Sequence, residues 1–339
     1  MGSPWQLTLL LLPVSARSAG DLRGILDSPG WVSLQLAVPD MTPAGTIRST
    51  ETQRGSMTLP LITAAALRAQ LAAGARLMVF DCRFDLADPA HGEADHLAWH
   101  IPGAVYLHLD RDLSAPRDGR NGRHPLPDRA GFAARLGALG CHDDLPVVAY
   151  DASGGMYAAR LWWMLRWLGH PQVQVLDGGL AAWDAAGGAL QAGPVAPRVP
   201  ATLTVRPPLV GLVDFDNILA GLGQAGRLVV DARAPDRFRG ENETLDPVGG
   251  HIPGAANRCF RDNLLPGGQF KPADQLRQEW LQLMGGRPPS GLVQQCGSGV
   301  TACHNLLALA AAGLDGAALY AGSWSEWCSR DNAPVAVGA

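Results

Sequence analysis

Short, wholly apolar runs alternate with amphipathic stretches along most of the chain. Leu77-Met78-Val79-Phe80 ends at Asp81, Val147-Val148-Ala149-Tyr150 ends at Asp151, and Val173 to Leu176 leads into Asp177-Gly178-Gly179. Runs of this length, apolar at nearly every position, read as strands buried on both faces. Helical stretches lie between them: one from Thr63 through Leu71, one from Tyr157 to Leu168 with Trp162, Trp163 and Trp167, and one after Gly179 that carries Trp183. Further on, Leu292-Val293 reads as the end of a buried strand, and Leu306, Leu307, Leu309 and Ala310 as the apolar face of a helix. Strands alternating with helices predict an α/β fold, a mainly parallel sheet flanked by helices on both faces.

The second half repeats the first. His100-Ile101-Pro102-Gly103-Ala104 recurs as His251-Ile252-Pro253-Gly254-Ala255, and Asp81-Cys82-Arg83 as Asp231-Ala232-Arg233. Strand-end Asp151 corresponds to Cys296, and Trp183 to Trp327. Four ordered matches at an interval of about 150 residues predict a duplicated domain. The expected limits are 57–190 and 209–339, joined by a linker over 191–208 within a Gly-, Ala- and Pro-rich stretch. Residues 1–56 mix Pro, Gly, Ser and Thr without a sustained period and are expected to form a poorly ordered extension.

Composition narrows the function. The chain has 339 residues, too many for one comfortable core, and its 47% hydrophobic and 17% charged residues fit a globular protein. A net charge of −4 without a basic stripe argues against nucleic-acid binding. No run is long enough to span a membrane. The apolar patch Leu7 to Val14 has no positive flank and does not read as an export signal. The six cysteines are scattered, with no Cys-x-x-Cys pair and no second ligand pair to complete Cys303-His304. Neither a disulfide framework nor a metal site is expected, and free thiols fit a reducing, cytoplasmic compartment.

Cys296-Gly297-Ser298-Gly299-Val300-Thr301-Ala302 stands between a strand and a helix. Main-chain N–H groups converge at such a turn and the helix dipole is positive there, so both favour a thiolate, the nucleophilic form. A cysteine phosphatase loop would need an arginine six positions after the cysteine to clamp phosphate, and residue 302 is alanine. The loop resembles the active-site loop of the 3-mercaptopyruvate sulfurtransferases, within the rhodanese superfamily. That family is a tandem of two α/β domains, each with a His-Ile-Pro-Gly-Ala-like stretch, and the resemblance covers nearly all of residues 57–339.

The resemblance implies sulfur transfer. Cys296 of the second domain would take a sulfane sulfur from a small anionic donor, become a persulfide, and yield the sulfur to a second nucleophile. The backbone of Gly297, Gly299, Val300 and Thr301 would cradle the sulfur anion. Asp151 would mark a non-catalytic first domain whose surface closes over the site. Arg237, in Arg237-Phe238-Arg239-Gly240, matches the family arginine that holds the donor's anionic end, whereas Arg233 and Arg239 read as structural or solvated. Ser298, His124 and Asp110 match a Ser-His-Asp set proposed for these enzymes to polarise the donor and handle its proton. His100 and His251 occur in both halves and so read as structural, tying a loop to a strand; the tryptophans read as packing.

The chain also departs from the family. Mercaptopyruvate members often carry a second arginine about nine positions after the first, where this chain has Leu245-Asp246-Pro247. Thiosulfate-preferring members usually carry Arg-Lys after the cysteine, where this chain has Gly297-Ser298. The expected donor is 3-mercaptopyruvate, with thiosulfate the alternative. The expected acceptors are cyanide, small thiols or a dithiol protein, and no metal or organic cofactor is required. The reading from another class is a sulfur-sensing or protein-interaction module that keeps the fold without turnover.

Overall fold

A computed structural model describes residues 59–339, and the extension expected over 1–56 lies outside the described residues. The first repeat runs β1 (Leu61–Ile62), α1 (Ala64–Ala72), β2 (Met78–Asp81), α2 (His91–Ala98), β3 (Val105–Tyr106), α3 (Leu109–Asp112), α4 (Arg129–Ala138), β4 (Val147–Tyr150), α5 (Ala158–Trp167), β5 (Val173–Leu176) and α6 (Gly179–Ala185). The second runs β6 (Gly211–Val213), α7 (Phe215–Ala220), β7 (Leu228–Asp231), α8 (Pro235–Arg239), β8 (Ala256–Asn257), α9 (Ala273–Met284), β9 (Leu292–Gln295), α10 (Thr301–Ala311), β10 (Ala318–Tyr320) and α11 (Ser323–Trp327). Thr63 caps α1 by accepting the Ala66 N–H at 3.2 Å, which fixes the helix start one residue inside the expected stretch.

Each repeat forms a five-stranded, all-parallel sheet, ordered β1-β5-β4-β2-β3 and β6-β10-β9-β7-β8. The two orders are the same, so the duplication read in the sequence extends to topology. Successive residues of each central strand face opposite cores. Met78, Phe80, Val147 and Ala149 pack with α4 and α5, while Val79, Val148 and Tyr150 pack with Leu67, Leu180 and Trp183 of α1 and α6. In the second sheet Val229 and Val293 face Phe215, Trp324 and Trp327, whereas Val230 and Leu292 face the side of α9 and α10. Helices α5 and α10 pack against each other, so Trp162 and Trp163 share one continuous core with Leu306 and Leu307 of the other repeat. That shared core brings the carboxyl ends of both sheets to one crevice, where parallel α/β sheets bind ligands.

Paired residues hold each repeat in the same way. Arg83 grips Asp81 and donates to the Trp99 carbonyl, and Arg233 grips Asp231 and donates to the Gly250 carbonyl. Trp183 and Trp327 each donate an indole N–H at 2.9 Å to the tail that follows, at Ala189 and Pro334. His100 and His251 bind a helix rather than a strand. Their Nδ1 atoms meet the carbonyls of His96 and Phe238 at 2.6 and 2.9 Å, and their backbones bridge to Gln191 and Ala336. Between the repeats the chain over residues 192–208 holds no strand or helix and runs along the first repeat, bonding Gly137 through Ala201 and Leu168 through Arg206. Among the described residues no helix is long and apolar enough to cross a membrane.

Candidate active site

Cys296 follows β9 directly, and four residues turn the chain into α10. The Cys296 N–H donates to the Ser323 hydroxyl at 3.1 Å, and its carbonyl accepts the Trp324 N–H at 2.9 Å. Gly299 sits at φ +75, and a Cβ there would fall 2.3 Å from the Ala321 carbonyl oxygen, so only glycine fits. Its carbonyl accepts from Arg160 and from the Cys303 thiol, both on the buried side of the loop. Gly299 therefore builds the turn without lining the cavity, whereas Gly297, Ser298, Val300 and Thr301 do line it.

The equivalent loop of the first repeat acts as an internal control. Asp151 takes the place of Cys296, and its carboxylate accepts four main-chain N–H groups. Oδ1 accepts those of Ser153 and Gly155 at 2.7 and 2.9 Å, and Oδ2 those of Tyr157 and Ala158 at 2.8 and 2.9 Å. A strand-to-helix loop of this design is thus an anion nest, here closed over its own side chain. The Cys296 loop is two residues shorter. Asp151 is fully buried and faces its own loop, so the first repeat serves the crevice with other residues.

Those residues line one cavity of about 470 Å³ between the repeats. The first repeat supplies Leu109, Arg123, His124, Met156 and Tyr157; the second supplies Arg237, Cys296 and Ser298. His124 Nδ1 lies 2.7 Å from Ser298 Oγ, and its Nε2 lies 3.3 Å from Asp110 Oδ1. A carboxylate can only accept, so the ring proton belongs on Nε2, leaving Nδ1 to accept the serine hydroxyl. Burial, and then the positive charges of Arg160, Arg123 and Arg117, pull the His124 pKa down to about 3. The imidazole is therefore neutral at physiological pH, a weak base whose Nδ1 is open to accept the serine hydroxyl. The three segments named from sequence are thus brought together, with Asp110 at the solvent edge.

An alternating chain of charges runs beside the sulfur. Asp231 pairs with Arg233, Arg233 with Glu243, Glu243 with Arg237, Arg237 with Asp246, and Asp246 with Arg123 of the first repeat, at 2.7, 3.3, 2.7, 3.3 and 2.6 Å. Nε and Nη2 of Arg237 are occupied by Glu243, and Nη1 of Arg123 by Asp246. Nη1 of Arg237 and Nη2 of Arg123 make no hydrogen bond among the described residues and flank Gly297. A Cβ added to Gly297 would meet them at 3.7 and 2.9 Å. Two guanidinium ends therefore converge next to Cys296.

Two contributors escaped the sequence reading. Arg123 directly precedes His124, the one signal that could have found it. Arg160 lies in α5 among tryptophans and is fully buried. It donates to the carbonyls of His124, Leu113 and Gly299 at 3.0, 3.4 and 3.2 Å, joining the segments that carry His124, Asp110 and Ser298. No carboxylate among the described residues pairs with it. Burial works against its charge, and the sulfurs of Cys303 and Cys296 are what favour it. Burial pushes the Cys303 thiol up to about 12, that of Cys141 to about 11, and raises Cys82 and Cys259, so none of these competes as a nucleophile.

Two like α/β domains with one cysteine loop lining their shared crevice define the class of protein. The rhodanese-like domain model matches residues 63–186 and 214–330, and the chain belongs to the rhodanese family. It is 52% identical over 280 residues to a Pseudomonas aeruginosa protein named "Probable 3-mercaptopyruvate sulfurtransferase", covering 82% of this chain and 98% of that one. It is 35% identical over 261 residues to the thiosulfate sulfurtransferase of Gallus gallus, covering 76% and 88%. The 3-mercaptopyruvate sulfurtransferase from Leishmania major superposes with a TM-score of 0.71 at 31% identity, over 81% of this chain and 75% of that one.

Proposed function

We propose that this sulfurtransferase draws its sulfur from 3-mercaptopyruvate, carries it on Cys296, and delivers it to a small thiol, a dithiol protein or cyanide. The observation that carries the reading is one cavity in which Cys296, the Ser298–His124 pair and the free ends of Arg237 and Arg123 meet. The arginines would hold the donor carboxylate. The Cys296 thiolate attacks the donor sulfur, the S–S bond forms, and the S–C bond breaks with its electron pair passing to carbon. The resulting enolate takes the proton that the donor thiol brought, relayed by Ser298 and neutral His124, and leaves as pyruvate. An acceptor thiolate then attacks the outer sulfur of the persulfide and releases Cys296 as thiolate. The backbone of Gly297, Val300 and Thr301 cradles the sulfur anion, a role supported by the way the sister loop holds Asp151.

Neutral Gly297-Ser298 after the cysteine supports mercaptopyruvate over thiosulfate. The repeats are assigned to 57–190 and 209–339, with 191–208 between them, and six free cysteines support a cytoplasmic setting. The test is kcat/KM for mercaptopyruvate against thiosulfate with cyanide as acceptor, read as pyruvate and thiocyanate. A higher value for thiosulfate overturns the donor, and turnover of neither by folded protein points to a binding module.

A further inference from the structure

Asp246 stands nine residues after Arg237. Its side chain is 4% exposed, and its two oxygens reach guanidinium groups on opposite sides of the crevice, Arg123 at 2.6 Å and Arg237 at 3.3 Å. It does not line the cavity itself, whereas the two arginines do, and their remaining free nitrogens lie beside Gly297. We propose that Asp246 is the donor-selectivity residue: by linking Arg123 to Arg237 and neutralising one of their charges, it sets the anion seat for a monoanion and against a dianion.

Counting charges supports this. Arg123, Arg233 and Arg237 are matched one for one by Asp231, Glu243 and Asp246 along the alternating chain. The remaining cavity-lining charges, Arg261 and Asp262, are one of each sign. Buried Arg160, which no carboxylate among the described residues pairs, is offset by the Cys296 thiolate beside it, so the seat offers directed N–H donors with no net surplus of positive charge. Directed donors suit a carboxylate, such as that of mercaptopyruvate, through paired hydrogen bonds. A dianion such as thiosulfate needs surplus charge to offset the desolvation of its second negative charge. Burial raises the Asp246 carboxyl, and Arg123 and Arg237 oppose that rise by favouring its charge; a charge held this way, away from water, is less screened toward whatever occupies the seat. It also fixes where the first repeat's arginine points, since Arg123 makes its shortest bond to Asp246.

The inference rests on the anion seat named under the proposed function, and the test separates the two. Asp246→Asn keeps the shape and one acceptor for Arg123 but removes the charge. The ratio of kcat/KM for thiosulfate to that for mercaptopyruvate is expected to rise by about tenfold, the order of one extra unit charge near the seat. Arg123→Gln removes a positive charge and shifts the same ratio the other way. An unchanged ratio, or an equal loss for both donors in both variants, overturns the proposal. A binding arm, independent of turnover, compares sulfate with pyruvate by calorimetry in wild type and Asp246→Asn. Relative tightening of sulfate supports the proposal and its absence overturns it. If wild type turns over neither donor, the proposed function fails while the binding arm still decides the role of Asp246.

Discussion

The hydroxyl of Ser323 accepts the main-chain N–H of Cys296 at 3.1 Å, and Ser323 takes a left-handed φ of +54 to do so. It is the only non-glycine residue with positive φ among the described residues, and in the first repeat its counterpart is Gly179 at φ +56. The duplicated backbone thus requires that conformation in both places, yet only the repeat with the sulfur puts a side chain there. Strain of this kind costs about 1–3 kcal/mol and clusters at functional sites. Ser323→Ala keeps the strain and loses the hydroxyl, whereas Ser323→Gly loses both. Glycine is expected to be about 1 kcal/mol more stable than alanine by denaturant titration, with kcat lowered alike in the two. A Ser323→Gly variant with wild-type kcat would show that the hydroxyl does not position Cys296.

Cys296 is the proposed sulfur carrier, so Cys296→Ser should lower transfer by at least ~1,000-fold while the thermal transition stays in place. Turnover near wild type from a folded variant would disprove the assignment.

Arg237→Ala is expected to raise KM about tenfold or more for both anionic donors, with a smaller change in kcat, because it removes a charge-assisted contact made throughout binding. Steady-state kinetics with each donor checks this, and an unchanged KM would take Arg237 out of the seat.

The pH dependence follows from His124. Its folded pKa is depressed to about 3, below the ordinary value near 6.5. The unfolded chain therefore binds a proton more readily. The stability that His124 contributes is complete above about pH 6.5 and declines as pH falls toward 3, by at most about 1.4 kcal/mol per pH unit. His304, held down to about 4 by burial, acts in the same direction. Denaturant titrations from pH 7 to 5 should show a shallower slope for His124→Gln than for wild type. Equal slopes would mean that His124 takes up its proton while folded.

Arg160 does not line the cavity, so its loss should be felt in kcat more than in KM. Arg160→Lys keeps the charge without the planar fork that reaches three carbonyls, and is expected to lower kcat about tenfold. Arg160→Met, which removes both, should lower it further. Equal effects of the two on kcat would mean that only the fork matters, and raised KM with unchanged kcat would contradict a positioning role.

The fold could be read from the sequence because local pattern and topology agree. Double-faced runs such as Val147–Tyr150 announce buried parallel strands, and the recurrent His-Ile-Pro-Gly-Ala announces the duplication. Ser298 and His124 are expected from the family resemblance, and the structure sets them 2.7 Å apart. Arg160 was not legible. In the run Ala158 to Trp167 it looks like one more helix position, and its partners come from three segments far apart in the chain. Asp246 showed only as a missing arginine, because its meaning depends on Arg123 reaching across from the other repeat. The helix-binding habit of His100 and His251 was missed for a similar reason, since a carbonyl partner leaves no mark on residue type.

The self-filled loop around Asp151 has a consequence for capacity. One of the two nests in each polypeptide is plugged by its own side chain, so under the proposed mechanism a loaded molecule stores a single sulfur and not a pair. Asp151→Cys alone would not add a second depot, because that loop is two residues longer and its flanking Gly179 offers no hydroxyl to the backbone. The first repeat has instead become one wall of the cavity and the source of His124 and Arg123.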